Sequence, residues 1–536
     1  MKIIGLLGLF SFIVFGQVEP SKGLRSNPPR VWALKGANVH TEPNKILEDA
    51  IIIVRDGMIE KVGVEITIPK DVTILDLSGK TIYPGFIDSW VEIPVQSQDK
   101  TEHDAHWNHK VHARRDLSGL YTPDKKKLES LHRLGFTAAH IVPDSGVFQG
   151  QTSLVQLDDE GTILQRNIAQ NITYEVDGWG SDQYPNALLG VVALIRQTLL
   201  DAAWYDRATE QTKKYPSVNV PLKQNRDLEV LGSWLDNNKP FVIETNNELA
   251  ALRSFNIAEE FNLNCWLLGS GYEYRRINEI AEKKPFIILP LDFPSTPDMS
   301  NPYQELRYST SELKHWDMAP DNPAVLLEND ISFAITSHKL EGKEFRKNLN
   351  KSVERSLSTS SALAALTTEP AKMMGMENKL GKIKRGYLAN LTILDGDYFD
   401  DTSEIISIWV GGKEYPVQPK YDVSIEGNWK LAIGDKSYRL ELKKKSKKYS
   451  GTILQDTTEF KLSKLKVKGR FISWQVQWDS TTTANRFTGH ILEDSLEGIS
   501  HDQNLQWSAI KTGKREIEKG IVTYSKGAII IVMEIR

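Results

Sequence analysis

Apolar and polar positions along this chain fall into three successive patterns. Over residues 31–77, short strand-like runs (VWALKGANVHT, then AIIIVRDGMIEKVG) are broken by turn residues, with Asp56-Gly57 as a strong hairpin signal. Residues 86–375 alternate buried-strand runs with amphipathic stretches. The apolar pair Phe86-Ile87 follows the turn Pro84-Gly85, and the strand-like run at 136–142 follows the helix-like KKKLESLHRLG. Residues 187–205 place apolar side chains at helical spacing around Arg196, Gln197 and Asp201. Ser358 and Thr359 are N-cap candidates for a helix over 361–366, and a further helix opens at Pro370 and stops at Gly375. In the third pattern, residues 428–511, short runs rich in aromatic and β-branched residues recur between turns (NWKLAIG, YRLELK, RFISWQVQW, NRFTGHILE). They predict an antiparallel β-sandwich or barrel.

The two ends differ from all three patterns. Met1-Lys2 and the apolar run 3–15 end at the small residue Gly16, which predicts a signal peptide over 1–16 and export, to a bacterial periplasm. The run is too short to span a bilayer, so no membrane span is expected after cleavage. Residues 513–536 form an apolar tail whose stretch 528–533 has high β propensity.

Composition narrows the function classes. The 536 residues carry 25% charged and 40% hydrophobic side chains, an ordinary globular balance. A net charge of −4 argues against nucleic acid as a partner. The single cysteine, Cys265, rules out an intrachain disulfide and sits in an apolar run as a small hydrophobe.

Two motifs carry a resemblance. Gly79 to Asp88 reads G-K-x-x-x-P-G-x-I-D, and residues 381–391 read G-x-I-x-x-G-x-x-A-N-L. Both resemble the amidohydrolase superfamily, its imidazolonepropionase-like branch in particular, at the first barrel strand and at the closing motif. The resemblance implies an α/β fold: a (β/α)8 TIM-type barrel over 86–375, flanked by a composite β-subdomain from 30–85 and 376–418. The predicted β-domain over 420–512 is then an accessory. The implied family activity is metal-dependent hydrolysis of non-peptide or dipeptide amide C–N bonds.

The family's metal ligands are replaced at every position that can be aligned. After Asp88 the family has x-His-x-His, whereas this chain has Trp90 and Glu92. The strand-five histidine is replaced by Glu244 after Lys239-Pro240-Phe241-Val242-Ile243, and the strand-six histidine by Ser270. The strand-eight aspartate, the family's proton acceptor, is replaced by His338 after Ala334-Ile335-Thr336-Ser337. The strand-four position has no assignable residue. An indole only donates a hydrogen bond and cannot ligate. The resemblance therefore implies a degenerate site without a metal cofactor. Such a chain would be a binding or partner subunit, for an intact amidohydrolase unit or a small amide ligand. The apolar tail would either pair within its own β-domain or help such docking. The alternative keeps Glu92, Glu244 and His338 as a rearranged site for one divalent ion, zinc, manganese or iron.

Two further runs have simpler readings. His103, His106, His109 and His112 recur every third residue among charges and read as a solvated loop. The basic run Lys443 to Lys448 lies between two strand-like runs and reads as an exposed hairpin tip.

Overall fold

The computed structural model describes residues 31–95, 103–176, 183–217, 222–418 apart from four positions between 299 and 305, and 425–512 apart from short loop segments. Residues 1–16, where a signal peptide is expected, and the tail 513–536 lie outside the described residues. The chain divides into two compact units at Val417 and Gln418.

The first unit opens with β1 (Val31–Glu42), β2 (Lys45–Arg55), β3 (Met58–Gly63), β4 (Thr73–Asp76) and β5 (Thr81–Pro84). Asp56 and Gly57 make the β2–β3 turn with φ of 48° and 81°, the left-handed pair that a two-residue hairpin requires.

The barrel follows. β6 (Phe86–Ile93) and β7 (Phe136–Pro143) run parallel. β8 (Phe148–Gln151) and β9 (Ser153–Gln156) form a strand interrupted at Thr152, with β10 (Ile163–Gln165) beside β9. β9 pairs antiparallel with β7, and β8 pairs antiparallel with β11 (Gln170–Ile172). Then β12 (Pro240–Glu244), β13 (Asn264–Leu268), β14 (Phe286–Pro290) and β15 (Phe333–Thr336) continue parallel from β11. The Thr336 hydroxyl reaches Asp88 Oδ1 at 2.7 Å and Trp90 O at 3.0 Å, which ties β15 back to β6.

The TIM-type barrel expected from the sequence is therefore present, with one departure: its third strand is antiparallel. The cause is local. Only residues 144–147 join β7 to β8, too few for the helical crossover that a parallel neighbour needs. Gly146 turns that connection at φ 115°.

The barrel interior is filled by Ile87, Trp90, Ala138, Val242, Leu268 and Ile288. Outside it, the helix Leu188–Lys214 is long and apolar enough by composition to cross a membrane. Here it buries Val191, Leu194, Ile195, Leu199 and Ala202 in the unit's main core. Ser358 caps the helix Thr359–Leu366 through Ser361 N, as its sequence predicts. β16 (Leu391–Leu394), β17 (Ile405–Val410) and β18 (Lys413–Pro416) then return to the first sheet, whose order becomes β18-β17-β16-β5-β1-β2-β3 with β4 also beside β1.

The histidine run departs from its sequence reading. His103 and His109 are exposed, but His106 is buried and His112 half-buried. Buried Asp227 explains this: its carboxylate accepts from His106 N and Arg114 N, both at 3.0 Å, which pulls the loop onto the barrel. Burial, helped by Arg115, holds the His112 imidazole down at about 4.

The second unit contains β19 (Gly427–Ile433), β20 (Lys436–Lys445), β21 (Lys448–Gln455), β22 (Thr458–Lys461), β23 (Ser463–Lys468), β24 (Phe471–Val476), β25 (Asn485–Ile491), β26 (Ser495–Ser500) and β27 (Leu505–Lys511). They form one antiparallel sheet in the order β22-β21-β20-β19-β27-β26-β25-β24-β23, a nearly closed barrel-like meander. Its core is Trp429, Leu431, Leu440, Trp474, Phe487 and Trp507. Lys445 and Lys448 face each other across the β20–β21 hairpin, and residues 446–447 between them lie outside the described residues.

Candidate functional site

The C-terminal ends of the barrel strands surround a cavity of about 710 Å³. This is the face where barrels of this type carry their chemistry. Glu92, Glu244, Ser270 and His338 all line it, so four of the five residues singled out in the sequence come together. Trp90 lies beneath them, 1% exposed, with its ring edge-on to His140 and His338 at 6.3 and 6.5 Å.

Each position is held by identifiable bonds. A register shift in β6 between Asp88 and Val91 lets the Trp90 N–H fold back onto Asp88 Oδ1 at 3.2 Å. The Trp90 indole N–H points to Glu92 Oε1 at 3.4 Å. His338 Nδ1 lies 3.7 Å from the same carboxylate. Burial lowers the His338 imidazole below its ordinary value, and the Glu92 charge opposes that shift. Ser270 is engaged locally: its N–H donates to Glu273 Oε1 at 2.6 Å and its hydroxyl does so at 3.1 Å. Glu273, fully buried, also accepts from Asn322 Nδ2 at 2.7 Å.

Asn171 and His140 join the group although the sequence analysis gave them no role there. Asn171 lies on the barrel's fourth strand, β11, and its Nδ2 donates to Glu244 Oε1 at 2.8 Å and to Gln149 Oε1. The fourth strand thus brings an amide, rather than a carboxylate or lysine, into contact with Glu244. Only the three-residue run Gln170–Ile172 marks that strand, and its polar residues hide it from an apolar-run search. His140 is fully buried, with Nδ1 at 3.0 Å from Ser89 O and Nε2 at 2.7 Å from the Thr152 hydroxyl. Thr152 Oγ1 accepts the Ala169 N–H, so its own hydrogen is free for Nε2, and the imidazole is neutral with Nδ1 protonated. Burial pushes it down to about 4.

Cys265 packs against the core, and burial pushes its thiol up to about 12, so it is no nucleophile.

Burial, with the Glu92 charge adding to it and the Asn171 bond opposing it, pushes Glu244 up to about 7. A carboxyl raised from its unfolded value destabilises the fold as it ionises: the cost is absent below about pH 4.5 and complete above about pH 7. Glu244→Gln keeps an acceptor for Asn171 and removes that cost. The variant is expected to gain about 1–3 kcal/mol at pH 8 and nothing at pH 4.5, because the side chain keeps some solvent contact. Urea unfolding at the two pH values measures this, and an equal difference at both would refute the burial argument.

The family resemblance implies a divalent metal, and the residues present do not fit one. Trp90, where the resemblance expects a first ligand, has an indole that cannot ligate, and Glu244 is bonded to an amide. Among the described residues, no three histidine, cysteine, aspartate or glutamate side chains are grouped so as to hold an ion. Glu92 and His338 form a pair, with Glu244 on the same cavity.

Comparison with known proteins agrees with the fold. Residues 340–415 match the sequence model of the Amidohydrolase family. An amidohydrolase from Thermotoga maritima MSB8 is similar in structure over 72% of this chain and 99% of its own, with a TM-score of 0.59 and 22% identity. A prolidase complexed with n-methylphosphonate-l-proline covers the same shares at a TM-score of 0.43 and 15% identity. A β-aspartyl dipeptidase from Fervidobacterium islandicum AW-1 covers 73% of this chain and 97% of its own, at a TM-score of 0.40 and 14% identity. No curated protein sequence matches the chain. The first unit thus has the amidohydrolase fold, and the resemblance to the amidohydrolase superfamily read from the two motifs is borne out.

Proposed function

We propose that this chain is an exported amidohydrolase-fold protein that binds a small ligand at its barrel mouth and does not hydrolyse it. The observation that supports this reading is Trp90, whose indole is locked in the barrel interior where the family resemblance expects a ligand. An indole cannot hold or activate water as an imidazole-bound metal does. Export rests on the leader-like segment 3–15. A partner role, docking on an intact amidohydrolase unit, is the natural use of a silent barrel and belongs to the same proposal.

The test is metal analysis of the purified full chain after dialysis. Less than one tightly bound transition metal per molecule is expected. A stoichiometric metal that is lost in a Glu92→Ala, Glu244→Ala double variant would overturn the reading and establish the rearranged Glu92, Glu244, His338 site. The Glu92–His338 pair at 3.7 Å makes that outcome the one to test first.

A further inference from the structure

The barrel-mouth cavity is not isolated. A second cavity of about 820 Å³ shares Asn246, Tyr272, Pro294 and His315 with it, so the two form one two-lobed cleft. The lobes differ in chemistry. The inner lobe is bounded by Glu92, Asp144, Glu175, Glu244 and Asp292, against one lysine, Lys339. Glu175 is engaged by Lys110 at 3.4 Å, and Asp144 accepts the Val95 N–H at 3.2 Å. Glu92, Glu244 and Asp292 meet no lysine or arginine in ion-pair contact among the described residues. His315 and His338, both lowered by burial, add no compensating charge near neutral pH.

A separate observation beneath the inner lobe points the same way. Asn171 pairs in register with Val242, which packs inside the barrel, so its side chain faces the lumen below Glu244. It is wholly buried, spends Nδ2 on Gln149 and Glu244, and leaves Oδ1 without a partner. Beneath Glu244 there is therefore one buried acceptor, Asn171 Oδ1, that no donor among the described residues meets, a condition buried polar groups normally avoid. The outer lobe is mixed: Leu249, Pro297, Tyr308 and Trp316 give it apolar surface, and its one arginine, Arg275, is paired with Glu248 at 3.6 Å.

We propose that this cleft binds an organic ammonium ion, its N–H groups on Glu92, Glu244 and Asp292 and its carbon arm against Trp316 in the outer lobe. The inference rests on the binding reading above and adds the ligand's class. A positive head supplies both the missing charge and the missing donors, and charge-assisted hydrogen bonds of this kind are the stronger ones. An anion of the same shape meets uncompensated carboxylates and is rejected.

The experiment is calorimetric titration of the full chain at pH 8 and low salt with 4-phenylbutylammonium and, as charge-reversed control, 5-phenylpentanoate. The cation is expected to bind at least about ten-fold more tightly than the anion. A Glu244→Gln, Asp292→Asn double variant, shown by its melting curve to be folded, should lose at least about ten-fold in cation affinity. Equal affinity for the two probes, unchanged affinity in the double variant, or no binding of the cation up to its solubility limit would each overturn the proposal. Displacement of the cation by stoichiometric calcium would also overturn it, by showing an inorganic ion site. The first three results leave the non-metal reading untouched, because that reading is tested by metal content, whereas calcium displacement would count against both.

Discussion

Replacing Asp88 with alanine is expected to remove about 3–5 kcal/mol from the stability of the first unit, the range for breaking a buried charged network. Asp88 is fully buried and accepts from Thr336 Oγ1 at 2.7 Å, the Ser337 hydroxyl, Ser337 N at 3.3 Å and Trp90 N at 3.2 Å. Burial raises the carboxyl above its ordinary range, and the bonds from Ser337 and Thr336 oppose that. These contacts join the first barrel strand to the last across 248 residues of chain, so the side chain acts as the barrel's clasp. Thr336 Oγ1 in turn accepts the His338 N–H at 3.1 Å, so loosening Asp88 also displaces His338. Asp88→Asn keeps one acceptor oxygen and should cost less than half as much. Urea unfolding followed by tryptophan fluorescence measures both. A loss under about 1 kcal/mol for Asp88→Ala would show that β6 and β15 hold together without it.

The second large effect lies in the other unit. Gly498→Ala is expected to cost about 3 kcal/mol. A Cβ on Gly498 would sit on the Thr488 carbonyl oxygen, 2.6 Å from Gly489 Cα and 2.7 Å from Trp507 Nε1. Gly489 and Gly498 face each other in register between β25 and β26, and Trp507 lies opposite Gly498 on β27. The two glycines clear the space that the Trp507 indole occupies, with its N–H bonded to Thr488 O at 3.1 Å. The obstruction is backbone, so no side-chain rotation relieves it. Calorimetry of the full chain should show the transition of this unit lowered and that of the barrel unit unmoved. An unchanged thermogram would mean that the β25–β26 ladder spreads at little cost.

The barrel mouth shows what a sequence conveys and where it stops. Trp90, Glu92, Glu244, Ser270 and His338 could be singled out because each stands at a fixed offset from a strand motif, and four of them meet on one cavity. Asn171 could not, because a three-residue polar strand has no periodicity to detect. The burial of His106 was hidden for a similar reason, since it follows from distant Asp227. His140, by contrast, lies in a run read as a buried strand, and only its partners Ser89 and Thr152 were not legible.

The sequence alone determined the local chemistry: the left-handed hairpin at Asp56-Gly57, the cap at Ser358 and the alternation that builds a barrel. These follow from steric and hydrogen-bonding preferences that act within a few residues. The tertiary structure decided the antiparallel third strand, the clasp at Asp88, and the desolvation that raises Glu244 to about 7 and holds His140 at about 4. Each of these depends on which groups from separate strands exclude water together, and a carboxyl or an imidazole carries no sign of that until the strands close around it.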